Sequence, residues 1–167
     1  EPMLICWSSG TTGKPKGIVH GPKIFFNLLE STDSGFKQGL QTTCMFHLGG
    51  FTLPLNALIR GTENIFIAGE DLEDDIGMVV KVAERCQADN ILCGSHHLIQ
   101  LASWQLTPDQ LPAASVKLLI PVGTNVYHGI FDNLKPLFPS SLGVVNLYGQ
   151  SEGGSAVSYS LDQRHLG

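Results

Sequence analysis

Met3-Leu4-Ile5-Cys6-Trp7-Ser8-Ser9-Gly10-Thr11-Thr12-Gly13-Lys14-Pro15-Lys16-Gly17 carries an apolar run straight into a loop of hydroxyls, glycines and two lysines. Met3–Trp7 reads as a buried strand. The glycines allow positive φ and let backbone approach a ligand with no Cβ in the way. Ser8, Ser9, Thr11 and Thr12 can hydrogen-bond phosphate oxygens, and successive loop amides can form an anion nest. Lys14 and Lys16 add compact positive charge, and Pro15 limits the conformations between them. A plain Ser/Gly linker is the alternative, but linkers seldom bracket a proline with lysines directly after an apolar run. The loop is not a Walker A sequence, because counting from Gly10 puts Pro15 where that pattern needs its second glycine.

A second segment, Asn146-Leu147-Tyr148-Gly149-Gln150-Ser151-Glu152, follows Gly143-Val144-Val145 at the end of an expected strand, where open α/β sheets bind ligands. Tyr148 offers a flat ring for stacking a base, and Asn146 an amide able to meet an adenine edge. Ser151 can bond a phosphate or carboxylate oxygen, and Glu152 is a hard oxygen donor suited to magnesium.

In this order, the two segments resemble the signature loops of the adenylate-forming superfamily: acyl-CoA synthetases, coumarate-CoA-type ligases, luciferases and peptide-synthetase adenylation domains. The second matches that family's Asn-x-Tyr-Gly-x-Thr-Glu pattern with Ser151 in place of threonine, which keeps the hydroxyl and loses a methyl. The resemblance implies ATP-dependent activation of a carboxylic acid to an acyl-adenylate, captured by a thiol such as coenzyme A. It implies that Ser8, Ser9, Gly10, Thr11, Thr12, Gly13, Lys14, Lys16 and Gly17 handle the phosphates. Gly123, Asn146, Tyr148, Gly149 and Ser151 would line the nucleotide site, and Glu152 would hold Mg2+. The catalytic assignments are Lys16, Thr11, Ser151 and Glu152. Phe46-His47-Leu48-Gly49-Gly50 resembles the family's Phe-His-x-x-Gly segment, so the resemblance places His47, Gly49 and Gly123 beside the acyl substrate.

Two other readings use the same residues. Gly149-Gln150-Ser151-Glu152-Gly153 satisfies the Gly-x-Ser-x-Gly elbow of serine hydrolases, with His47-Leu48-Gly49-Gly50 as a possible oxyanion loop. Against it, Gly153–Tyr159 alternates like a strand where an elbow needs a helix. Only Asp162 and His165 follow as triad partners, and the Ser8–Gly17 loop is left without a role. The other reading is a non-catalytic nucleotide-binding pseudo-enzyme, which would keep the same loops.

The chain has 167 residues, enough for one substantial core. With 43% hydrophobic and 15% charged residues it is globular, and a formal net charge of −5 with no basic stripe argues against nucleic acid. No apolar stretch is long enough to span a bilayer. Cys6, Cys44, Cys86 and Cys93 form no Cys-x-x-Cys pair and read as buried reduced thiols of an intracellular, by default cytoplasmic, protein; a peroxisomal signal is not visible. His96 and His97 are adjacent, so their rings should diverge on a helix and serve capping or core roles.

Strands and helices alternate along the chain. Helices are expected over His20–Asp33, Phe51–Arg60 (despite Pro54), Asp71–Cys86, His96–Trp104 and Gly129–Leu137. Strands are expected over Thr42–Phe46, Asn64–Ile67, Asn90–Cys93, Val116–Ile120 and before Tyr148, with Thr107–Ser115 a loop. Asp71, Glu73, Asp74 and Asp75 would compensate the dipole of the third helix. The alternation implies an α/β fold, a mainly parallel sheet with helices on both faces. The resemblance makes residues 1–167 a partial AMP-binding domain, the central part of a large N-terminal domain with the C-terminal domain absent. Alone, such a piece is expected to be inactive and to self-associate as a homo-oligomer through exposed strand edges.

Overall fold

In the computed structural model, residues 1–8, 13–23, 36–123, 128–138 and 143–161 are described, except the side chains of 53, 128, 148 and 154–161. The helix expected over His20–Asp33 falls largely outside them.

Strands β1 (Leu4–Ser8) and β2 (Lys16–His20) form an antiparallel hairpin of their own, with Ser8 opposite Lys16 and Leu4 opposite His20. Two expectations change here. The apolar run is a hairpin strand rather than a buried one: Cys6 is buried, while Ile5 and Trp7 are 55% and 66% exposed. Alternation in a two-stranded ribbon turns every second side chain away from the covered face. Lys16 and Gly17 belong to β2, so the phosphate-type loop is the hairpin connection, and His20 ends a strand instead of starting a helix.

The main sheet runs β3 (Gln38–Gln41), α1 (Leu48–Ile59), β4 (Glu63–Phe66), α2 (Gly69–Asp74), α3 (Met78–Cys86), β5 (Asn90–Gly94), α4 (Ser95–Ser103), β6 (Leu118–Val122), α5 (His128–Leu134), β7 (Gly143–Gln150) and β8 (Gly154–Leu161). Its strand order is β4-β3-β5-β6-β7-β8; the first five are parallel and β8 is antiparallel to β7. The chain steps outward from β3 to β4, then returns past β3 to β5 and continues the other way. Right-handed crossovers then put α1 on one face and α2 to α5 on the other.

The two faces differ in chemistry. Leu40, Ile91, Cys93, Leu119 and Val144 pack with Leu72, Val79, Val80, Ala83, Leu98, Leu101, Phe131 and Leu134 of α2 to α5 in one apolar core. Burying each large aliphatic side chain there contributes about 1.5–3 kcal/mol. The α1 side is polar: the Gln41 amide donates to Asn64 Oδ1 (3.0 Å), and Asn64 donates to the Pro54 carbonyl (3.1 Å). At the opposite end of the strands, Asp89 accepts from the Lys37 amide (2.7 Å) and donates its own amide to the Gln38 carbonyl (3.0 Å). Its carbonyl accepts from the Lys117 amide (2.8 Å), so this one residue ties the starts of β3, β5 and β6.

Three local expectations shift. Thr42–Phe46 is a bend and turn after β3, because the ladder ends when the Thr42 amide bonds the Leu92 carbonyl (3.0 Å). The helix expected over Asp71–Cys86 is two helices. Asp75 is extended, its Oδ1 accepts from the Gly77 amide (2.9 Å), and a Cβ at Gly77 would run into the Trp104 indole. The break therefore admits Trp104. As a result Glu70 and Asp71 occupy the first turn of α2, whereas Asp75 ends it and pairs with Lys81 of α3 at 2.7 Å. Of the four cysteines, all free, Cys6 and Cys93 are buried, Cys86 is half-buried and Cys44 is exposed.

Candidate functional site

Neighbouring strands β3 and β5 send their connections to opposite faces, which makes their carboxyl ends a topological switch point, the place where open α/β sheets take ligands. After β3 the chain turns through Thr42–His47 and starts α1, with His47 at the N-cap position. The turn is closed by the His47 amide on the Cys44 carbonyl (3.1 Å), and the Phe51 amide bonds the His47 carbonyl (3.0 Å). His47 is exposed, and Phe46 beside it is 89% exposed. Gly50 is buried under this turn: a Cβ there would overlap the Cys44 carbonyl, lying 2.8 Å from its carbon and 3.3 Å from Thr43 Oγ1. Gly49 faces open space. The second glycine is thus the one that lets the turn close.

After β5, α4 begins at once. Gly94 is its N-cap, and a Cβ there would lie 2.6 Å from the His96 ring, so the glycine lets that imidazole fold back. Contrary to the expected divergence, the His96 and His97 rings lie 3.8 Å apart, tilted by 46°. Both side chains lie in the first turn, where the His96 ring folds back over Gly94. His97 Nδ1 is 3.0 Å from Thr42 Oγ1, a bond between residues 55 apart in sequence. Burial, with the neighbouring His96 adding to it, lowers the His97 pKa to about 4, so the ring is neutral at physiological pH. Ser95 Oγ donates to the Val122 carbonyl at the end of β6 (2.9 Å). Gly123 follows with φ +112°, a conformation open to glycine, 3.9 Å in Cβ terms from Ser95 Oγ. Cys93, fully buried beneath, has its thiol pKa pushed up to about 12 by desolvation.

The two motif segments lie in different sheets. Ser8 and Lys16 face each other across the hairpin, Lys14 and Lys16 are exposed, Gly13 has φ +79°, and Ser9, Gly10, Thr11 and Thr12 lie outside the described residues. Gly17 packs in β2, where its Cβ position is 3.4 Å from Ile5 and 3.5 Å from Trp7. Asn146 is buried within β7, and Tyr148 and Gly149 flank a register shift in its pairing with β8. Ser151 (half-buried) and Glu152 (exposed) sit in the β7–β8 turn, closed by the Gly153 amide on the Gln150 carbonyl at 3.2 Å. Ser151 therefore lies between antiparallel strands. Gly123 is brought next to this strand, since Val122 pairs with Leu147.

Thr42 and Ser95 were not singled out by the sequence, and His97 was assigned only a capping or core role. Their only local signal was position, each lying just past the carboxyl end of a strand.

Among the described residues no helix is long and apolar enough to cross a membrane, and no three His, Cys, Asp or Glu side chains cluster as a metal cage.

Comparison with known proteins gives the geometry its context. The chain is 27% identical over 165 residues to the polyketide synthase-nonribosomal peptide synthetase phmA of Phaeosphaeria nodorum, covering 94% of this chain and 4% of that protein. It is 29% identical over 98 residues to the peroxisomal trans-cinnamate:CoA ligase of Petunia hybrida, covering 54% of this chain and 17% of the ligase. In fold it is similar to the luciferase-like enzyme of the nonluminescent mealworm Zophobas morio, with a TM-score of 0.76 and 24% identity, covering 99% of this chain and 39% of that one. The chain thus spans a small part of the length of these curated relatives. The AMP-binding enzyme family matches residues 1–166, both motif segments included, and the chain belongs to that family.

Proposed function

We propose that the protein containing this chain activates a carboxylic acid with ATP and passes the acyl group to a thiol, with coenzyme A as the acceptor. In this reading the chain is one part of the AMP-binding domain of a longer enzyme. What carries the proposal is the family match through both motif segments, joined to a topological switch point at the carboxyl ends of β3 and β5. A carboxylate oxygen attacks the α-phosphorus; the new O–P bond forms as the α–β bridge breaks and pyrophosphate leaves. The thiol then displaces AMP from the acyl carbon. Such chemistry rests on positioning and charge neutralisation.

Lys14 and Lys16 at the hairpin mouth supply positive charge for the leaving phosphates, and Gly13 supplies the bend that brings backbone amides to them. The turn at His47 and the glycine at 123 face the acyl end. Magnesium, when bound, offsets charge on the phosphate oxygens. Glu152 fits that ion: it is an exposed hard-oxygen donor in the β7–β8 turn, and Mg2+ suits one carboxylate plus substrate phosphates. The names of two relatives, the cinnamate ligase and the 2-methylpropanoate--CoA ligase CCL4 of Humulus lupulus, favour coenzyme A over other thiols.

The test is carboxylate-dependent exchange between pyrophosphate and ATP by the full-length protein across a panel of acids. Glu152→Gln keeps the shape and removes the anionic ligand, and it should reduce exchange at least about tenfold with an unchanged melting temperature. Full exchange in that variant would remove Glu152 from the metal site. Stoichiometric labelling of Ser151 by a serine-directed phosphonate would instead favour a hydrolase; its place between antiparallel strands gives no strand-to-helix elbow.

A further inference from the structure

At a switch point the two diverging connections share no backbone ladder, so the loops on its two sides need another tie. Here the β3 ladder stops at the Thr42 amide, and the next five residues make the turn that carries His47. The turn sits on Gly50 on one side. On the other, Thr42 is 5% exposed and its hydroxyl reaches His97 on α4, which leaves from β5 toward the opposite face. The start of α4 is in turn tied to the end of β6 by Ser95 on the Val122 carbonyl. Three strand ends are therefore stitched in sequence, β3 to α4 to β6, by two side-chain bonds.

We propose that the Thr42–His97 hydrogen bond is a latch across the β3/β5 divide, and that His97 is a positioning residue for the His47 turn and thereby for the carboxylic acid. The inference rests on the acid-activating reading above. Being neutral, the imidazole offers one donor and one acceptor at physiological pH, so the bond holds without a charge buried beside the acyl group. His97 touches neither phosphate nor acid in this scheme; it acts through the turn.

The test compares Thr42→Val, Thr42→Ser, His97→Leu, His97→Asn and the Val/Leu double variant in the full-length protein. Asn places a polar atom near the position of Nδ1, and Ser keeps the hydroxyl. Loss of the latch should raise KM for the acid about fivefold, the worth of one neutral hydrogen bond, while KM for ATP stays within about twofold. Thr42→Ser and His97→Asn should recover most of the effect, and the double variant should be no worse than the worse single one. Independently of activity, hydrogen exchange at the His47 amide should quicken about fivefold in Thr42→Val and not in Thr42→Ser. Unchanged acid KM and unchanged His47 exchange would overturn the latch. So would equal rises in both KM values, or no recovery with serine, which would mark a packing role only. If the wild-type protein shows no acid-dependent exchange at all, the acid-activating reading fails, and the His47 amide still decides whether the latch exists.

Discussion

Replacing Gly50 by alanine sets a single methyl against a backbone carbonyl. The built Cβ overlaps the Cys44 carbonyl oxygen and lies 2.8 Å from its carbon, with Thr43 Oγ1 at 3.3 Å. A side chain could rotate away; a carbonyl held in a turn by the His47 amide cannot. The turn must therefore move outward by about 1 Å, and overpacking of this kind costs about 1–3 kcal/mol. The hard backbone contact puts Gly50→Ala at the top of that range. Against it stands the helix-propensity gain from glycine to alanine, about 1 kcal/mol in a helix interior and less near an end. The net expectation is a loss of about 2 kcal/mol. Gly49→Ala receives the same propensity gain with nothing within 4 Å of the new methyl, so it should be neutral or stabilising by up to about 1 kcal/mol. The two variants differ by one position and should differ by about 2–3 kcal/mol, or roughly 5–10 °C in melting temperature for a chain of this size. Chemical and thermal denaturation of both, beside the wild type, measure the gap. Because the displaced turn carries His47, Gly50→Ala should also weaken acid binding more than ATP binding. Equal stability of the two variants, or greater damage from Gly49→Ala, would refute the reasoning about which glycine the turn needs.

Acid should weaken the fold through His97. Its folded pKa is about 4 against about 6.5 when unfolded, so between those values the unfolded chain holds an extra proton. The stability associated with neutral His97 is complete above about pH 6.5 and falls as pH drops toward 4. The full shift corresponds to about 3 kcal/mol, and solvent screening of a half-buried ring reduces it to about 1–2 kcal/mol. Denaturation at pH 7.5 and 4.5 should show a smaller drop for His97→Asn than for wild type; equal drops would remove His97 as the source. Thiol labelling should modify Cys44 first, and Cys93, buried with its pKa near 12, only on unfolding; early modification of Cys93 would contradict its placement. Leu101→Ala, at a fully buried position of α4, should cost about 2–5 kcal/mol, read from the denaturation midpoint, and a cost below about 1 kcal/mol would put Leu101 outside the core.

Local pattern carried much of the architecture. Val79, Val80 and Ala83 recur at helical spacing, Asn90–Gly94 is a short apolar run between turn residues, and strand-helix alternation alone implied a parallel sheet. Those signals are legible because each depends only on neighbours a few residues away. The two motif segments were equally visible, since a phosphate-type loop is a matter of composition over ten residues. What composition could not give was the hairpin. Whether Met3–Trp7 joins the large sheet or pairs with Lys16–His20 depends on which partner edge is free, and that is decided by the whole fold. The break at Gly77 depends on Trp104, 27 positions later, needing the space a Cβ would fill. Thr42 and His97 meet because β3 and β5 are neighbours despite the helices and strand between them, and strand order leaves no trace in the periodicity of either segment. The sequence alone thus determined the elements, their alternation and the two motif segments that mark the family. Tertiary structure alone decided which glycine supports the His47 turn and which histidine is tied to it, because both are settled by contacts between segments that sequence spacing does not encode.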